Sequence, residues 1–63
     1  MFELPDKSNR YMARWIINQD NEAECTVFDA GENLGTFVCR NSTGINRTRS
    51  EYLIKKAKKL KNG

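Results

Sequence analysis

Three short segments of the chain have the residue types of β-strands, in which successive side chains lie on opposite faces. In residues 10–18 (RYMARWIIN), one side of the predicted strand carries Tyr11, Ala13, Trp15 and Ile17. Residues 24–30 (ECTVFDA) and 36–40 (TFVCR) are also rich in β-branched and aromatic residues. The intervening residues 19–22 and 29–35 contain Asn, Asp and Gly, which favour turns. The pattern therefore predicts a three-stranded antiparallel meander.

A helix is predicted near the end of the chain, where the apolar spacing changes. Residues 51–61 contain four apolar residues that form one stripe on a helix: Leu53, Ile54, Ala57 and Leu60. Residues 41–50 (NSTGINRTRS), which precede them, have the composition of a loop. Thr48 and Glu51 fit a capping box, and Ser50 is a competing N-cap. The helix is therefore predicted to follow a basic loop.

These elements predict the α+β class: a three-stranded antiparallel β-meander packed against one C-terminal amphipathic helix (β-β-β-α). The 63 residues form a single small domain, because so short a chain buries only one thin core. The sheet occupies residues 10–40, and the helix packs on the sheet face that carries Trp15. Residues 1–9 form an N-terminal arm that Pro5 keeps out of a central strand. This arm either follows a sheet edge or covers the second sheet face.

The two sheet faces differ in chemistry. If the second hairpin is centred near Glu32, the core face pairs Cys25 with Cys39 and Val27 with Phe37. The second face then carries a mixed set: Thr26, Phe28, Thr36 and Val38, with Arg14, Ile16 and Arg40 nearby. A slip of one residue in the turn would exchange the two faces, because successive side chains point to opposite sides of a strand.

Charge divides the chain into an acidic and a basic half, although the net charge is only +3. Residues 1–32 contain three basic and seven acidic residues, whereas residues 33–63 contain eight basic residues and one acidic residue. Such an asymmetry indicates contact with a polyanion, or two complementary ends that meet within a chain or across a dimer.

The residue types argue against an enzyme. The chain has no histidine, which removes the commonest general base and the commonest metal ligand. Cys25 and Cys39 are too few and too far apart for a typical zinc site, so we expect no metal and no cofactor. Because no export signal is evident, we expect both cysteines to be reduced thiols. No segment has the length of a membrane span or the pattern of an export signal. We therefore expect a non-catalytic, cytoplasmic protein without membrane contact.

The first functional hypothesis is a small nucleic-acid-binding accessory or regulatory domain. Its expected phosphate and base contacts are the basic residues of the sheet, the loop and the helix: Arg14, Arg40, Arg47, Arg49, Lys55, Lys58 and Lys59. The predicted element order of residues 10–61 is similar to that of DNA-binding modules with a three-stranded sheet and a helix, such as the arm-site domains of tyrosine recombinases and the plant AP2 type. Lysines also simply solvate a helix face, which is the alternative explanation of the lysine run.

The second hypothesis is a protein-binding inhibitor or adaptor, of the kind that phages and mobile elements encode. Its contact surface would be the apolar part of the second sheet face: Ile16, Phe28 and Val38. The same surface could instead be covered by the N-terminal arm or by a second copy of the chain in a homodimer. Salt-dependent binding to nucleic acid distinguishes the first hypothesis from the second.

Overall fold

The structure is a computed structural model that describes residues 2–40 and 45–62. The described residues form four strands and then one helix: β1 (Phe2–Pro5), β2 (Tyr11–Ile17), β3 (Ala23–Asp29), β4 (Glu32–Cys39) and α1 (Arg47–Asn62). The strands make one antiparallel sheet in the order β1-β2-β3-β4. The α+β class with a C-terminal helix is therefore confirmed. The predicted number of strands was wrong, because the sheet has four strands and not three.

The additional strand comes from the predicted N-terminal arm. In β1, Glu3 lies opposite Arg14 and Leu4 lies opposite Ala13 of β2. Pro5 is the last residue of this edge strand. Its missing N–H therefore removes no hydrogen bond between central strands. Four residues that include a proline are too few for an alternating pattern, so the sequence did not indicate a strand. Of the two placements proposed for the arm, the sheet edge is the one observed.

The observed register of the hairpin between β3 and β4 differs from the predicted one. Ala30 and Gly31 form a tight turn with positive φ angles of 50° and 94°, as the two-residue turns of hairpins require. Cys25 consequently lies opposite Phe37, and Cys39 lies opposite Ala23, so the predicted pair of Cys25 with Cys39 was wrong. The predicted pair of Val27 with Phe37 was wrong in the same way, because Val27 lies opposite Gly35. A shift of two residues leaves every side chain on its predicted face.

Helix α1 begins at Arg47, four residues before the predicted start at Glu51. The side-chain oxygen Oδ1 of Asn46 accepts a hydrogen bond from the backbone N–H of Arg49 at 2.7 Å. Asn46 is therefore the N-cap, and asparagine is among the strongest residues at that position. The predicted caps at Thr48 and Ser50 were wrong, since both residues lie inside the helix. The predicted loop residues 41–44 lie outside the described residues.

The core lies between α1 and the sheet face that carries Trp15. Its buried members are Ala13, Trp15, Ala23, Cys25, Val27, Leu53, Ile54 and Ala57. Leu60 was predicted to complete the apolar stripe, but 67% of its surface is exposed. The indole Nε1–H of Trp15 donates a hydrogen bond of 2.8 Å to the buried Ser50 hydroxyl, which in turn donates to the carbonyl oxygen of Asn46 at 2.8 Å. These two hydrogen bonds connect the start of the helix to strand β2 of the sheet.

A buried carboxylate joins the far end of the helix to the sheet. Asp29, at the end of β3, is 5% exposed and accepts hydrogen bonds from Arg10 Nε at 2.7 Å and from Lys61 Nζ at 3.0 Å. The hydrogen bonds from Arg10 and then Lys61 hold the pKa of Asp29 below its ordinary value. Lys61 also reaches Glu32 at 2.7 Å, so this lysine of the basic run is part of the fold.

We expect the ion pairs of Asp29 to make the protein less stable in acid. Because the pKa of Asp29 is lower in the folded chain than its ordinary 3.8, the stabilisation is complete above about that pH and is lost as the pH falls through the folded-state pKa. Urea unfolding between neutral pH and the acid range measures the free energy of unfolding. The Asp29→Asn variant keeps the side-chain shape but cannot ionise. It should be less stable than the natural protein at neutral pH, and it should lose less stability than the natural protein when the pH falls. An equal acid dependence in both proteins would contradict the assignment.

Candidate nucleic-acid interface

The fold separates the predicted site residues onto different sides of the molecule. Helix α1 covers the sheet face that carries Trp15, so its own cations lie on that side: Arg47, Arg49, Lys55, Lys58 and Lys59. Arg14 lies on β2 among residues of the opposite, open sheet face, and Arg40 directly follows β4 and is exposed. The predicted basic residues therefore do not form one continuous surface, and the helix and the sheet have to be considered as two candidate sites.

The solvent side of α1 combines cations with an aromatic ring. We define the outer helix face by five exposed residues that recur at helical spacing away from the buried Leu53 and Ile54: Arg49, Tyr52, Lys55, Lys56 and Lys59. Tyr52 is central in this set, and 57% of its surface is exposed. One open cleft beside it is lined by Asn46, Thr48 and Arg49, and a second is lined by its neighbours Lys55, Lys56, Lys59 and Leu60.

The cations of the outer helix face have no carboxylate partner among residues 2–40 and 45–62. The ion pairs within those residues involve Arg10, Arg14 and Lys61 instead. The first turn of α1 contains no acidic residue but does contain Arg47 and Arg49. Positive charge at a helix N-terminus opposes the helix dipole, so these arginines do not serve helix stability. The charge of this face is therefore available to an external anion.

Two lysines of the helix contact aromatic rings of the sheet: Lys56, which belongs to the outer helix face, and Lys58, which flanks that face. The Nζ atom of Lys58 lies 4.2 Å from the centre of the Tyr11 ring, and that of Lys56 lies 5.6 Å from the centre of the Phe37 ring. Such contacts stabilise a cation over a π face. Lys58 was predicted to bind phosphate, but its place on the flank over Tyr11 makes it a weaker candidate than Lys55 and Lys59.

The open sheet face is less basic than its sequence indicated. Arg14 forms an ion pair with Glu3 at 2.9 Å, and its guanidinium group lies 4.7 Å from the centre of the Phe28 ring. The charge of Arg14 is thus largely balanced, and Phe28 is half-buried beneath it. Ile16 and Val38 are 40% and 56% exposed on either side of Glu24, which is their cross-strand neighbour. This face presents separate apolar residues and not a cationic groove.

Cys25 is not placed for nucleophilic chemistry. Cys25 and Cys39 are free thiols, and Cys25 is fully buried in the core. Burial raises the pKa of the Cys25 thiol to about 12, so it stays protonated at neutral pH.

Tyr52 was not among the predicted site residues, because a helix that starts at Glu51 leaves Arg49 outside the helix. The missing signal was the spacing of Tyr52 from Arg49 and from Lys55 and Lys56, which puts all four on one side of a helix that starts at Arg47. In the part of the chain that the structure describes, no helix has the length and apolar content to cross a membrane. Comparisons of the chain with protein-family models, with curated proteins and with solved structures found no match.

Proposed function

We propose that the protein binds nucleic acid through the outer helix face, as a small non-catalytic accessory or regulatory domain. The observation that carries the proposal is the group of exposed cations around the exposed ring of Tyr52, with no carboxylate partner among the described residues. Ammonium and guanidinium groups of this kind bind phosphate oxygens and release counterions from the nucleic acid.

The rest of the fold supports this role by holding the helix rigidly. Leu53 and Ile54 are 4% and 2% exposed against the sheet, and Trp15 hydrogen-bonds to Ser50 near the helix start. At the other end, Lys61 binds Asp29. A helix fixed at both ends presents its cations in a constant arrangement, so less conformational entropy is lost on binding. Most acidic residues of the chain lie in the sheet half and its turns, and two acidic residues, Asp6 and Glu51, line a cleft together with Lys55.

The test is a salt series with fluorescently labelled DNA and RNA of about 20 nucleotides, as single strands and as duplexes. We expect the logarithm of the association constant to fall linearly with the logarithm of the salt concentration, by about 0.9 per phosphate contact on B-form DNA and about 0.7 on single strands. Fluorescence anisotropy at low ionic strength measures the binding. Absence of binding to all four nucleic acids would refute the proposal.

The open sheet face supports a second candidate function, docking onto a partner protein. Ile16 and Val38 are exposed on a face that α1 does not cover, and Phe28 lies half-buried between the strands that carry them. Contiguous apolar surface is typical of an interaction site, and a partner that covers this face would bury these separate residues together. A second copy of the chain is the simplest partner to test: sedimentation should show self-association in the natural protein and not in Val38→Gln. A monomer at high concentration would exclude the homodimer.

A further inference from the structure

Tyr52 differs from the three aromatic residues that contact cations, because no such contact to its ring occurs within the described residues. The cation contacts recorded within the described residues are made to the rings of Tyr11, Phe28 and Phe37. Tyr52 is more exposed than any of these three, and it lines two clefts, one toward the start of α1 and one toward its end. A large apolar surface on a surface helix is thus left open between basic side chains.

We propose that the outer helix face takes single-stranded nucleic acid, with an unpaired base stacked on the ring of Tyr52. This inference rests on the proposed function, because the phosphates on either side of the base would be bound by the cations of the same face. Base stacking on an exposed aromatic side chain between basic residues is the usual basis of single-strand binding. In a duplex the bases are already stacked on one another, so the ring could not reach a π face.

The neighbours of Tyr52 are spaced for a strand that runs along the helix. Arg49 precedes it by three residues and Lys56 follows it by four, so at a rise of about 1.5 Å per residue they lie about 5 Å before and about 6 Å beyond it along the axis. Lys55 and Lys59 continue the same side, and the exposed Leu60 adds apolar surface at the end of the second cleft. One base on Tyr52 would therefore have cations on both sides for its flanking phosphates.

This arrangement also predicts weak sequence preference. Every base offers a π face, whereas base identity is read through hydrogen bonds to base edges. The side chains closest to Tyr52 are mainly cations, which bind phosphate without regard to sequence. We therefore expect a general single-strand binder in which the four bases differ chiefly by their stacking strength.

The experiment compares three ligands of equal length at one salt concentration: a single strand with bases, the same strand with an abasic site at every second position, and a duplex. The variants are Tyr52→Leu, which keeps an apolar side chain with good helix propensity but removes the π face, and Tyr52→Phe, which keeps the ring. We expect Tyr52→Leu to weaken binding to the base-containing strand roughly 5- to 100-fold and to leave duplex binding within about 2-fold. Tyr52→Phe should bind like the natural protein.

The abasic strand separates stacking from phosphate binding. The natural protein should bind it more weakly than the complete strand, and Tyr52→Leu should show a smaller difference between the two. Unfolding in urea confirms that each variant keeps its fold. If Tyr52→Leu binds every ligand as the natural protein does, or loses affinity for the duplex equally, the stacking inference is overturned while the proposed function stands. If the natural protein binds none of the three, the proposed function fails and the inference fails with it.

Discussion

Replacing Trp15 with alanine is expected to leave little folded protein at room temperature. Trp15 is 1% exposed and is the largest fully buried side chain of the core between the sheet and α1. Truncation of a buried tryptophan costs about 3–5 kcal/mol, partly through the cavity that it leaves. The whole free energy of unfolding of a small domain is typically about 5 kcal/mol, so the loss is of the same size as the stability itself.

Trp15→Phe is the matched control for this substitution. Phenylalanine fills most of the space but cannot donate the hydrogen bond that Trp15 Nε1 makes to Ser50 at 2.8 Å. The Ser50 hydroxyl keeps its bond to the Asn46 carbonyl oxygen, so we expect a smaller cost of about 1–3 kcal/mol. Urea unfolding followed by far-ultraviolet circular dichroism measures both variants without relying on tryptophan fluorescence. If the unfolding midpoint of Trp15→Ala equals that of the natural protein, the placement of Trp15 in the core is contradicted.

Removing two charges from the helix is expected to weaken nucleic-acid binding far more than removing two charges from the sheet. Lys55→Gln/Lys59→Gln changes exposed residues of the outer helix face and keeps good helix formers in place. If each lysine contacts one phosphate of a single strand, the salt slope should decrease in magnitude by about 1.4. At 0.1 M salt, this corresponds to an affinity loss of roughly 25-fold, because each contact contributes through counterion release.

Arg14→Gln/Arg40→Gln is the charge-matched control, because it removes the same net charge from the other candidate site. Arg14 is paired with Glu3 and Arg40 lies at the end of β4, so we expect the salt slope to stay unchanged and the affinity to fall less than about 3-fold through the net charge alone. Anisotropy titrations across the salt series measure both double variants. Equal losses of affinity in the two double variants would show that binding depends only on net charge. A larger loss in the sheet variant would show that the open sheet face is the binding site.

The strands show how much of the fold could be predicted. The two-residue spacing of Ala13 and Trp15 placed β2 and the centre of its core face correctly, because such side chains share one face of a strand, although Ile17 on the same side is 47% exposed. The predicted pairing of β3 with β4 differed from the observed register by two residues. Several turns are compatible with the glycines and asparagine of residues 29–35, so the sequence did not select one of them. β1 was predicted as an arm that could follow a sheet edge but not as a strand, since its four residues include a proline and are too few for an alternating pattern.

The candidate site was predicted in part for a related reason. The lysine run itself is visible in the sequence, but which of its members is free depends on where the helix lies on the sheet. Lys58 lies over Tyr11, and Lys61 is bound to Asp29, whereas Lys55 and Lys59 are exposed and form no ion pair within the described residues. Tyr52 was overlooked because its significance depends on Arg49, which joins the same helix face only when the helix starts at Arg47.

The sequence alone determined the α+β class and three of the four residues of the apolar helix stripe, Leu53, Ile54 and Ala57. These follow from local periodicity, which every strand and helix must satisfy to bury one side. The tertiary structure decided the fourth strand, the N-cap at Asn46, the register of the second hairpin and the division of the cations into bound and free ones. Each of these depends on contacts between residues distant in the chain or on a choice among competing local partners, and the favoured contact is the one that packs and hydrogen-bonds best in the complete fold.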